Sequence, residues 1–128
     1  MQRYLLDTNS IIYYLQGYKE LEKIFERFAT GIATPMISII TEIELLGFPG
    51  ITSKDERLIT KLLTKFQAFD VDKKISKETI ELRRQYTIRI PDAIIAATAL
   101  SKAAILVTRD EKDFKRIKHL DILNPFKE

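Results

Sequence analysis

The feature that most constrains this chain is alternation. Short apolar runs recur along it, and each is followed by a stretch in which apolar residues return at helical spacing. Arg3 to Leu6 reads as a strand, followed by a helix from about Ser10 to Gln16. Leu21, Ile24, Phe25 and Phe28 predict an amphipathic helix that ends near Gly31. Ile32 to Ile37 is a second strand, and Ser38 and Gly47 are placed to cap and stop the helix between them. Leu58, Ile59, Leu62, Leu63 and Phe66 mark a further helix, Ala68 to Val71 a short strand, and Ser76 to about Tyr86 a helix capped by Ser76. Pro91 suits the first turn of the helix carrying AIIAATAL, residues 104 to 108 (AILVT) read as a strand, and a small helix from Glu111 to Ile117 leads to a strand near Asp121 to Leu123. Strands separated by helices pair in parallel through crossovers. The expected fold class is therefore α/β, a three-layer α/β/α sandwich on a central parallel sheet.

No repeat, low-complexity tract or linker interrupts this rhythm, so residues 1 to 128 read as a single domain, and 45% hydrophobic content suffices for its core. The absence of cysteine excludes disulfides and thiolate metal sites. No apolar run approaches the roughly 20 residues of a membrane helix, and the first ten residues hold an acid where a signal peptide would be apolar. The expectation is a soluble, cytoplasmic protein.

Four places set a carboxylate against an apolar element: Asp7 after the first strand, Glu42 or Glu44 in SIITEIELLG, Asp92 opening the AIIAATAL helix, and Asp110 after AILVT. Singly, each is explained by a helix cap or turn, and Asp92 also suits a helix N-terminus electrostatically. Jointly they say more. Asp7 and the Arg109-Asp110 pair follow strands and so fall at the same edge of one parallel sheet, where ligands of such folds bind. Carboxylates brought together repel unless a cation compensates. A hard cation such as Mg²⁺ prefers an all-oxygen donor set of this kind. Such a site activates water and stabilises a phosphate, which is one way to hydrolyse a phosphodiester without a nucleophilic side chain.

The absences agree with that chemistry. His119 is the only histidine and reads as a surface residue in RIKHLD; there is no nucleophile elbow and no nucleotide-triphosphate phosphate loop. The formal charge of +3 becomes +7 once four site acids are set aside, which suits a polyanionic substrate around an acidic pocket. Arg83, Arg84 and Arg89, with Tyr86 among them, are candidates for phosphate contact and stacking, whereas Tyr13, Tyr14 and the helical Phe residues read as core.

Four segments, LLDTN (5 to 9), TEIELLG (41 to 47), PDAIIAATAL (91 to 100) and LVTRDEKDF (106 to 114), together resemble the motifs of the PIN domain family, in order and over nearly the whole chain. Within that family the chain is similar to the small VapC-type ribonuclease toxins. The resemblance implies a Mg²⁺ or Mn²⁺ site built from Asp7, Glu44, Asp92 and Asp110, with Asp113 as a fifth, water-mediated acid. The helical wheel leaves Glu42 and Glu44 equivalent; the family's acid precedes the Leu of its E-L-L-G ending, which selects Glu44. Asn9 and Thr108 match polar positions that brace the acids. The GFPG that follows the second motif departs from relatives that continue with tyrosine and glycine. The resemblance further implies an RNA substrate, a homodimer and a small antitoxin partner. Apolar side chains of the 19 to 30 and 52 to 66 helices are the surfaces expected to meet such partners.

Two other readings are open to these residues. A haloacid-dehalogenase-like phosphatase also begins with an Asp after its first strand, but needs a second Asp where Asn9 stands. A non-catalytic PIN-like module would bind RNA or protein without cutting.

Overall fold

The sheet is assembled from strands whose successive residues serve opposite layers. In the computed structural model, which describes residues 1–128, β1 (Gln2–Leu6) pairs in parallel with β2 (Ala33–Ser38) on one side and β4 (Ile105–Val107) on the other. β3 (Gln67–Phe69) extends the sheet beyond β2, and β5 (Ile122–Leu123) extends it beyond β4, giving the order β3-β2-β1-β4-β5. Leu5, Met36 and Leu106 point to one face; Tyr4, Leu6, Ile37 and Val107 point to the other. This period of two, with both faces apolar, is what a parallel sheet buried between helical layers requires.

One layer is α5 (Lys73–Gln85) and α6 (Ile90–Ser101), whose Ile75, Leu82, Ile95, Ala96 and Ala99 are buried against the sheet. The four alanines buried along α6, at 93, 96, 97 and 99, let its backbone lie close to the strands. The opposite layer contains α1 (Thr8–Leu15), α2 (Lys19–Ala29), α3 (Ile39–Leu46) and α4 (Ser53–Leu63), which contribute Ile11, Leu21, Ile24, Leu45, Ile59 and Leu62. A short α7 (Glu111–Phe114) and a C-terminal 3-10 helix (Pro125–Lys127) complete the chain. No helix is long and apolar enough to cross a membrane. The three-layer α/β/α arrangement expected from the alternation is the one observed.

Element boundaries differ from the sequence reading in instructive places. α1 starts at Thr8 rather than Ser10, because the Asp7 carboxylate accepts from the Ser10 amide and caps it. α5 is capped by Asp72, whose Oδ1 accepts from the Ile75 amide at 2.8 Å, and not by Ser76. Starting at Lys73 lets Ile75, Thr79 and Leu82 fall on one buried face. β3 begins one residue earlier and ends two earlier than expected, and α7 is a single turn ending at Phe114 rather than Ile117. Ser38 and Gly47 cap and stop α3 as anticipated; a Cβ on Gly47 would lie 2.6 Å from the Ile43 carbonyl oxygen, so only glycine fits there.

The helices expected to meet partners expose little apolar surface. In residues 19 to 30 no large apolar side chain is exposed, since Leu21 and Ile24 are core and Phe25 and Phe28 pack against it; in residues 52 to 66 only Leu58 is exposed. Exposed apolar side chains lie instead on α1 (Leu15), α3 (Ile43), the α3–α4 loop (Phe48), α5 (Ile80) and α6 (Ile90).

Candidate active site

The order of strands reverses at β1, whose chain-neighbour β2 lies on one side and the returning β4 on the other. Loops leaving adjacent parallel strands in opposite directions open a crevice beyond their carboxyl ends. Asp7 leaves β1 into that crevice, and Thr108, Arg109 and Asp110 leave β4 into it. The two edges are bonded together: the Asp7 amide donates to the Val107 carbonyl at 3.2 Å, and Ser10 Oγ donates to the same carbonyl at 3.0 Å.

Asp7 is only 6% exposed, and every contact to its carboxylate holds one orientation. Oδ1 accepts from the Ser10 amide at 2.9 Å and Oδ2 from Thr108 Oγ1 at 2.6 Å. The Thr108 hydroxyl oxygen in turn accepts from the Asp110 amide at 3.0 Å, so one side chain braces both acids. Burial pushes the Asp7 carboxyl above its ordinary value; the bonds from Ser10 and Thr108 oppose this, and the charge of Asp92 adds to it. Asp110 is raised too, by desolvation first and then by the charges of Asp113 and Asp92, while the Asp113 amide bonded to its Oδ1 pulls the other way.

Asp92 enters from the first turn of α6, with its side chain largely buried. Two guanidinium nitrogens of Arg89 approach its Oδ2 at 3.2 and 3.3 Å. No other of the five expected acids has a basic partner. Glu44 is exposed on α3, and its Oε1 accepts from Thr8 Oγ1 at 2.6 Å. Thr8 directly follows Asp7, so this bond ties α3 to the loop that carries the first acid, and Thr41 Oγ1 supports it at 3.1 Å. Glu42 is half-buried and makes no side-chain hydrogen bond or ion pair. Asp113 lies half-buried beside Asp110, and Asn9 lines a small pocket with Asp7, Tyr13, Arg109 and Asp110.

As the side chains are placed, no three carboxylates stand close enough to hold one ion. In kind the donors fit a hard divalent cation. All are carboxylate oxygens, and Asp7 and Asp110 are both raised in part by neighbouring negative charge, a condition that a cation relieves.

Of the other residues singled out in the sequence, Arg83 donates to the Ile88 carbonyl at 2.6 Å and Arg84 faces Glu81; Arg116, which was not, donates to the Thr87 carbonyl. Arg83 and Arg116 thus fasten the α5–α6 loop, leaving Tyr86 half-buried beneath Arg116. That loop walls a cavity of about 480 Å³ bounded also by Asp92 and Asp113. His119 is exposed in a turn with φ 67. Tyr14 stacks on Phe25 as a core residue would, whereas Tyr13 also faces the acidic pocket. Thr8 and the side-chain setting of Arg109 were not anticipated. The LLDTN segment offered Thr8 as a hydroxyl beside the first acid, but only packing shows which carboxylate it meets.

With that geometry in view, the model of the PIN domain family matches residues 4–120. The chain belongs to the PIN domain family. A tRNA(fMet)-specific endonuclease VapC of Salmonella typhimurium is 30% identical, over 91% of this chain and 93% of that protein. Among solved structures, a toxin–antitoxin complex from Klebsiella pneumoniae is 31% identical with a TM-score of 0.78, covering 94% of this chain and 96% of that one. VapBC2 from Rickettsia felis, bound to a DNA fragment from its promoter, is 26% identical with a TM-score of 0.84, covering 96% of this PIN domain and 98% of that chain.

Proposed function

We propose that this PIN domain is a Mg²⁺- or Mn²⁺-dependent endoribonuclease, the toxin of a VapBC-type toxin–antitoxin pair acting in the cytoplasm. The observation that carries the reading is the convergence on one sheet edge of Asp7, Asp92 and Asp110, three acids distant in sequence whose charges reach one another, in a chain whose relatives include a VapC endonuclease. Asp7, Glu44, Asp92 and Asp110 would hold the cation, with Asp113 contributing through water. When bound, such a cation polarises water and a phosphate oxygen, the chemistry that phosphodiester hydrolysis needs. The protein's own part is orientation. Thr108 braces Asp7 and Asp110 together, Thr8 ties Glu44 to the residue after Asp7, and the Ser10 amide fixes Oδ1 of Asp7.

Solved relatives are toxin–antitoxin complexes, and we extend that partner to this chain together with a homodimer. The surface best suited to an apolar segment of an antitoxin is a groove of about 430 Å³ lined by Ile12, Leu15, Leu45, Phe48 and Leu58, with Glu44 also in its wall. An occupant of it would reach one of the site acids. The test is direct. Purified protein should cleave RNA with Mg²⁺ or Mn²⁺ and not with chelator, and its expression should arrest growth. Absence of cleavage with either metal, together with a growth effect that survives Asp7→Asn, would sink the proposal.

A further inference from the structure

Arg109 shares a pocket with two acids of the site without pairing to either. It lines the same pocket as Asp7 and Asp110, yet its guanidinium makes no ion pair or hydrogen bond with them. The headgroup lies over aromatic rings instead, 4.1 Å from the centroid of Phe126 and 5.4 Å from that of Tyr13. Those rings are held by others: Phe126 meets Tyr13 at 5.4 Å and Tyr18 at 5.8 Å, both edge-on.

The C-terminal 3-10 helix is fastened so as to keep Phe126 there. The Asn124 side chain accepts from the Phe126 amide at 3.0 Å, Lys127 pairs with Glu111 at 2.6 Å, and Glu128 pairs with Arg27 at 2.7 Å. Glu111 directly follows Asp110, so the Lys127 pair joins this helix to the acid loop itself. A guanidinium stacked on an aromatic face keeps its in-plane donors free, and those donors match the oxygens of a phosphate. A lysine in the same place would offer a point charge without the plane.

We propose that Arg109 binds a phosphate of the RNA substrate beside the acidic pocket, and that Phe126 is its positioning residue. This rests on the ribonuclease reading above. Arg109 touches substrate in this account; Phe126 acts only through Arg109. It also gives the C-terminal helix, which carries none of the acids, a part in substrate binding.

The experiment uses the full chain with a short labelled single-stranded RNA. Binding is measured on Asp92→Asn protein, with and without Arg109→Gln, across a series of salt concentrations. One lost phosphate contact lowers the slope of log affinity against log salt by about 0.7. Arg109→Gln should show that decrease and, in the cleaving protein, raise KM about tenfold with little change in kcat. Arg109→Lys should recover part of the loss. Phe126→Leu keeps an apolar filler but removes the ring, and should raise KM in the same direction while Mn²⁺ affinity holds and the protein stays folded at the assay temperature. A protein that cleaves RNA while Arg109→Gln keeps the parent slope and KM overturns the proposal and leaves the ribonuclease reading standing. If the protein binds and cleaves no RNA with either metal, both fall. Arg109 is exposed, so its replacement leaves the core untouched and carries the test even if Phe126→Leu folds poorly.

Discussion

Asp7 serves the fold and the site with the same two oxygens. It caps α1 through Oδ1 and takes the Thr108 hydroxyl through Oδ2, while burial holds its carboxyl above the ordinary value of 3.8. The folded protein therefore binds this proton more tightly than the unfolded chain does. Stability contributed by the protonated form is fully present below 3.8 and is lost as pH rises through the folded value. Asparagine keeps the cap and the shape but carries no charge. In chelator, Asp7→Asn should thus melt higher than the parent at neutral pH and no higher below pH 3.8, a difference that scanning calorimetry at several pH values measures. The same variant should lose more than about a hundredfold in RNA cleavage, since even residues that merely support a metal ligand cost 10- to 100-fold. Equal melting curves across that pH range would show that the buried charge costs the fold nothing. Arg89 permits a second prediction at this scale. As the sole basic partner of a site acid, it competes with any cation for Asp92. The pair is open to solvent on the arginine side and worth less than about 1 kcal/mol. Arg89→Gln should accordingly tighten Mn²⁺ binding by up to about fivefold in a calorimetric titration; weaker binding would mean that Arg89 orients Asp92 for the ion instead.

At the scale of elements, the choice between two good caps for α5 was settled by the face the helix must bury. Asp72 and Ser76 both suit an N-cap, and the local sequence does not rank them. Only a helix begun at Lys73 brings Ile75, Thr79 and Leu82 under the sheet together. Asp72→Ala should therefore cost about 1 kcal/mol, and Ser76→Ala, which lies within the helix, much less. Chemical denaturation of the two variants tests this, and a larger loss for Ser76→Ala would place the cap where the sequence alone suggested. What could be read in advance follows the same division. Strand and helix identities were legible because two-residue and 3.6-residue periods differ over a few turns, and Asp7 and Asp110 were legible because each directly follows an apolar run. Glu44 was not separable from Glu42 by helical position, as both flank the apolar face; the Thr8 hydroxyl that meets Glu44 is a tertiary contact. Nor could spacing have shown Arg109 resting on Phe126, since the ring arrives from a 3-10 helix on the far side of β5. The PIN family match also sets aside the dehalogenase-like phosphatase, which would need a second Asp where Asn9 stands.

For the molecule as a whole, folding itself creates the site. Asp7 follows β1, Asp92 opens α6 and Asp110 follows β4, and only the completed sheet with α6 packed on it brings their charges within reach of one another, while Thr8 ties Glu44 of α3 to the same loop as Asp7. The unfolded chain holds no comparable group of acids, so a divalent cation that binds the folded state stabilises it by mass action, by about 2.7 kcal/mol at a hundredfold excess over its Kd. For a chain of 128 residues that corresponds to a rise of roughly 10 °C in melting temperature. Burial is the main reason Asp7 and Asp110 are raised, and the smaller share that comes from neighbouring charge is relieved in the same step, so the effect should be largest at neutral pH and fade as the carboxyls protonate. Differential scanning calorimetry of the parent in Mn²⁺ against chelator should show the rise, and Asp7→Asn should lose most of it despite melting higher without metal. The two curves should therefore converge as Mn²⁺ is added. A parent indifferent to Mn²⁺, or a variant that gains as much as the parent, would mean that these acids do not share an ion.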